Sequence, residues 1–174
     1  MDLTRTFLTH PKILVVALNG PAVGLSAALV GLADFVYATP QTFILTPFTS
    51  LGLVAEGGAS HTFVRRMGIA KANEALILSR RIPCDELVQC GFVNKVFERE
   101  GFGESVRAYV EDAFGAHLDA DSMMLVKRLI REGQDREIEA ANVREVAGGL
   151  DRLVAGIPQQ QAALIASGQK KHKL

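Results

Sequence analysis

Tryptophan is absent from the 174 residues, and cysteine occurs only twice. Cys84 and Cys90 lie six apart in a segment of helical character and fit neither a CxxC pair nor a zinc-ligand spacing. Two free thiols of a reducing compartment are expected, with no metal and no redox cofactor. An excess of charge is also absent, because nineteen basic residues balance nineteen acidic ones. A nucleic-acid partner would require a basic face, so none is expected. The opening MDLTRTFLTH lacks the basic-then-apolar order of a secretory signal. Internal repeats and low-complexity tracts are missing as well.

The long uncharged run, Ile13 to Ala33, has 21 residues, enough to cross a bilayer. Its interior opposes that reading. ILVVALN is short and β-branched, as a buried strand is, and Asn19, Gly20 and Pro21 interrupt any continuous helix. Asp34 then stands where a second element would end. No membrane partner is expected.

What is present is the composition of a soluble globular chain, 48% hydrophobic and 22% charged. The length suits one domain, or a domain with an appendage. ILVVALN reads as a strand, GPAVG as a turn and LSAALVGLA as a helix opened near Ser26. FVYAT and TFILT follow as short strands split by Pro40. This order implies a parallel pair joined by a crossover. A long apolar loop, PFTSLGLVAEGG, leads to helices at ASHTFVRRMG, AKANEALILS and PCDELVQCG, then a strand-like FVNKVFE. From about Gly103 the pattern is helical: Val106, Tyr109, Val110 and Ala113 share one face, as do Met124, Leu125 and Leu129, and Ile138, Val143 and Val146. The expected class is α/β, with an α/β core over residues 1–102 and a helical region over 103–174. The tail GQKKHKL is expected to fray.

Two places invite chemistry. Gly20 to Leu25 run from a strand end into a helix, where the first N–H groups lack internal partners. Small residues there, Ala22 and Gly24 among them, let a ligand approach the main chain. The Leu25 amide is the candidate donor to an oxyanion, although the glycines could equally serve only a tight connection. Glu56 is a lone carboxylate among Leu51, Leu53, Val54 and Ala55. Desolvation would raise its pKa, which suits a general base. The plainer reading is a surface glutamate capping the next helix.

NGPAVGLSAALVGLADFVYA, TPFTSLGLVAEGGASHTFVRRMG and KANEALILSRRIPCDELVQCGFVNKVF together resemble the enoyl-CoA hydratase/isomerase (crotonase) family, in particular its peroxisomal Δ3-Δ2-enoyl-CoA isomerases. The likeness spans roughly residues 7–100. It implies a spiral of ββα turns with a C-terminal helical region that builds homo-oligomers, trimers or dimers of trimers. It implies an acyl-CoA substrate with no separate cofactor, an enolate held by backbone N–H groups including that of Leu25, and Glu56 as the group moving a proton from C2 to C4. Phe48 and Leu53 are candidate walls for the acyl chain. Hydratases of the family carry a second glutamate where Ala28 stands here, so the resemblance favours isomerisation. The family's other oxyanion donor and much of its adenine pocket lie in an earlier segment, and nothing upstream of Met1 supplies it. The expectation is a fold incomplete at its N-terminus, a shortened product or a chain completed by another subunit. A catalytically impaired assembly subunit is the alternative. His172, Lys173 and Leu174 resemble the peroxisomal C-terminal tripeptide.

GLSAA also brushes the G-x-S-x-G elbow of serine hydrolases, with Ser26 and His61 as nucleophile and base in a Clp-like spiral. No acidic partner for His61 is evident in the sequence. Ser26 is expected instead to cap its helix.

Overall fold

The computed structural model of the chain describes residues 2–171. The expected crossover is its centre. Strand β1 (Val15–Leu18) pairs in parallel with β3 (Phe35–Ala38), in the register Val15 to Phe35 through Leu18 to Ala38. Between them lie β2 (Ala22–Val23) and helix α2 (Leu25–Val30). β2 leaves the first sheet to pair with β4 (Phe43–Leu45), which then pairs antiparallel with β5 (Ile82–Pro83). β6 (Lys95–Val96) completes the first sheet beside β3. Two three-stranded sheets, β1-β3-β6 and β2-β4-β5, therefore share one spiral.

α1 (Asp2–Leu8) precedes the sheets, and α3 (Ala59–Leu76) runs between the site loop and β5. The sequence suggests two helices where α3 lies, and the structure agrees: Gly68, at φ 75 and ψ 158, is non-helical and divides the run at a kink. Phe63 of α3 is fully buried and meets Phe92 edge-on at 5.5 Å. Burying one such side chain contributes about 1.5–3 kcal/mol. α4 (Cys84–Gln89) opens at Cys84, and Cys90 follows its end; both thiols are free.

Four helices follow: α5 (Phe102–Ala113), α6 (Ala120–Arg131), α7 (Gln134–Val154) and α8 (Ile157–Ala166). Phe102 and Val106 of α5 bury against Tyr37 of β3, with Tyr109 and Val110 packed on the same cluster. α6 is held by charge. Lys127 and Arg131 each contact the Asp34 carboxylate at 2.7 Å, and the Leu14 N–H donates to it as well. Ile138 of α7 packs with Leu8, Leu29 and Leu32. Four residues of the expected apolar faces are exposed instead: Leu125 and Leu129 on α6, Val143 and Val146 on α7. Among the described residues no helix is long and apolar enough to cross a membrane. The expected fraying of the tail is corrected at Lys170, whose Nζ donates to the Ser50 carbonyl and to Gln161 Oε1. His172, Lys173 and Leu174 lie outside the described residues.

Candidate functional site

The turn after β1 is built as the sequence suggests, with one correction. α2 starts at Leu25, and its N-cap is Gly24, at φ 64, where other residues are strained. No side chain caps this helix. The Ser26 hydroxyl is not a cap: it donates backwards to the Val23 carbonyl at 2.7 Å. The Gly24 N–H donates to Leu45, tying the turn to β4. Ala22 is buried beneath it, while Leu25 is 36% exposed. The first N–H groups of α2 are thus left without a side-chain partner at an accessible surface.

Gly57, the residue after Glu56, packs on this helix start. With φ 70, Gly57 sits so close to α2 that a Cβ there would lie 3.1 Å from both Ala28 Cβ and Leu25 Cδ1. The turn carrying Glu56 therefore rests on the first turn of α2. Burial pushes the Glu56 carboxyl above its ordinary range, and the charge of Glu145 pushes it further in the same direction. Of the candidate acyl-chain walls, Phe48 is 2% exposed within the main core, and Leu53 packs partly buried against that core. Ala28 is fully buried on α2.

Glu145 is the residue that sequence reasoning missed. It is 7% exposed on α7, and its two carboxylate oxygens accept the N–H groups of Gly58 at 2.7 Å and Ser60 at 2.8 Å. The carboxylate capping α3 is therefore Glu145. A signal for it exists in the stripe Ile138, Ala141, Glu145, Gly148 and Arg152, where one acidic residue recurs with small and apolar neighbours at helical spacing.

His61 has an acidic neighbour that the sequence did not reveal: its Nε2 lies 3.5 Å from Glu137 Oε2. The Ser26 hydroxyl is engaged with Val23, so the side chains needed for a serine nucleophile and its base do not form a hydrogen-bonded pair. Two cavities, of about 600 and 680 Å³, open away from the candidate site. The first is bordered by the far end of α2, Gly31 to Asp34, with Thr62, Phe114 and Met123. Neither is lined by Leu25 or Glu56.

The comparisons identify the family that shares this α/β fold. The family profile "Enoyl-CoA hydratase/isomerase" matches residues 1–146, and the chain belongs to that family. It is 57% identical to a Delta(3,5)-Delta(2,4)-dienoyl-CoA isomerase of Pyricularia oryzae, over all of this chain and 65% of the relative. It is 38% identical to the enoyl-CoA delta isomerase 2 of Rattus norvegicus, over 83% of this chain and 36% of the relative. The crystal structure of an enoyl-CoA hydratase/isomerase from Pseudoalteromonas atlantica superposes with a TM-score of 0.90 at 27% identity, covering 98% of this chain and 68% of that one. The chain spans less than two thirds of the length of these curated relatives.

Proposed function

We propose that the protein shifts a double bond in an unsaturated acyl-CoA, converting a 3-enoyl thioester to its 2-trans isomer. Glu56 takes a proton from C2, the electrons move into a dienolate, and the same carboxyl returns the proton to C4. The thioester oxygen, where charge develops, accepts from the Leu25 N–H. Such a donor is worth about two to three orders of magnitude in rate. The observation that supports this reading is the close approach of Gly57, the residue after Glu56, to Leu25 and Ala28 of α2. A raised carboxyl suits a base that must also give its proton back. Ala28 leaves no second glutamate on α2, which favours proton transfer within the substrate over addition of water. Turnover of a 3-cis-enoyl-CoA should be lost in Glu56→Gln. Hydration of a 2-enoyl-CoA as the main activity would refute the reading.

The 57% identity to a dienoyl-CoA isomerase favours a second substrate, a 3,5-dienoyl-CoA. Its proton travels from C2 to C6, a longer path for one carboxylate. Comparing both substrates in the same assay decides between them. An assembly subunit without turnover is the remaining reading, met by a folded oligomer that binds no CoA. The exposed apolar residues of α6 and α7 support a homo-oligomer in either case. The resemblance of His172-Lys173-Leu174 to a targeting tripeptide supports a peroxisomal location.

A further inference from the structure

The loop that carries Glu56 does not stand by itself. Three residues on one face of α7, spaced three and four apart, meet it at successive heights. Glu145 accepts from Gly58 and Ser60, Gly148 lies against Val54, and Arg152 Nε donates to the Gly52 carbonyl at 3.0 Å. Ile138, earlier on that face, approaches Gly58 so closely that a Cβ there would lie 2.9 Å from its Cγ2. Lys170, beyond α8, adds a bond to Ser50.

We propose that α7 is the template for the candidate base and that Glu145 is its positioning residue, holding the Glu56–Ser60 turn against α2 through two N–H groups. The inference rests on the reading of Glu56 as the proton carrier. Both Glu145 oxygens are committed to backbone donors, and a carboxylate at a helix start is favoured there. Glu145 is therefore not a second acid in the reaction. It acts through Glu56, by placing it and by adding a negative charge nearby. The charged groups around the loop are Glu145 and Arg152 of α7, Lys170, and the His61–Glu137 pair of α3 and α7; α2 contributes none. Of these, the charge that acts on Glu56 is that of Glu145.

The test uses the full chain with 13C-labelled glutamate, the Glu56 carboxyl signal being assigned by its loss in Glu56→Gln. Glu145→Gln keeps the volume and removes the charge, Glu145→Asp keeps the charge and withdraws it from the turn, and Arg144→Ala on the outer face is the control. In Glu145→Gln the Glu56 titration midpoint should move down, and the acid limb of kcat/KM should follow it. In Glu145→Asp the midpoint stays high, the Gly58 and Ser60 amides lose exchange protection, and kcat falls on the order of a hundredfold with KM little changed, the cost of displacing a reacting group by about 1 Å. Arg144→Ala moves none of these. An unmoved midpoint in folded Glu145→Gln, or full protection of both amides in Glu145→Asp, overturns the proposal. The titration and the exchange need no turnover. A wild-type chain inactive on both substrates would refute the proposed function and leave the role of Glu145 to be decided by these two measurements.

Discussion

Gly57→Ala probes the contact on which the site depends, and a second glycine calibrates it. Gly57 and Gly91 have nearly equal positive φ, 70 and 78, so alanine meets left-handed strain at both. That strain is about 1–2 kcal/mol, reduced by about 0.4–1 kcal/mol because alanine also restricts the unfolded chain. At Gly91 nothing lies within 4 Å of the new methyl group, and the cost ends there. At Gly57 the methyl meets Ala28 Cβ and Leu25 Cδ1 at 3.1 Å, inside the 3.5–4.0 Å of a relaxed carbon contact. Leu25 can rotate away, but Ala28 is fully buried on α2 and cannot. Overpacking of this kind adds about 1–3 kcal/mol. For a chain of this size each kcal/mol lowers Tm by about 2–4 °C. Gly57→Ala should therefore melt several degrees below Gly91→Ala. It should also lose turnover by about two orders of magnitude as Glu56 moves off α2, whereas Gly91→Ala keeps it. Equal melting temperatures and equal rates for the two variants would refute the close approach of the Glu56 turn to α2.

Asp34→Ala should cost about 3–5 kcal/mol in a denaturant titration, because it leaves Lys127 and Arg131 as unpaired, largely buried cations. Burial alone would raise the Asp34 carboxyl, but Leu14, Lys127 and Arg131 outweigh it and hold it below the ordinary range. Its contribution is thus complete above about pH 4, near the unfolded value, and is lost as pH falls through the lower native one. The gap between wild type and Asp34→Ala should accordingly narrow in acid. Glu56 has the opposite sign. Its raised native value makes the ionised form costly, so Glu56→Gln should melt above wild type at pH 7, with the difference vanishing below the ordinary glutamate range. Leu129 is 69% exposed on α6, and under the proposed homo-oligomer Leu129→Glu should reduce the mass measured by light scattering without lowering helix content.

The alternation of strand, turn and helix over residues 13–45 was legible because it is local. β-branched runs, Gly-Pro breaks and an Ala-Leu segment act within a few residues of themselves. Glu56 was legible for a related reason, since a single carboxylate in an apolar loop announces its own desolvation. Asp34 showed only as the end of an element. Its two cations stand 93 and 97 residues further on, and their pairing depends on where α6 docks. Glu145 was hidden in the same way, 85 and 87 residues from the N–H groups it holds. Local periodicity assigns such a residue to a helix but not to a neighbour. The sequence by itself determined the β1, α2, β3 and β4 segments and the carboxylate whose pKa burial raises, but not α1, β2 or β5. Only the tertiary structure decided what ties down the loop that carries it, because docking α7 against the loop is a contact between distant segments that no spacing along the chain encodes.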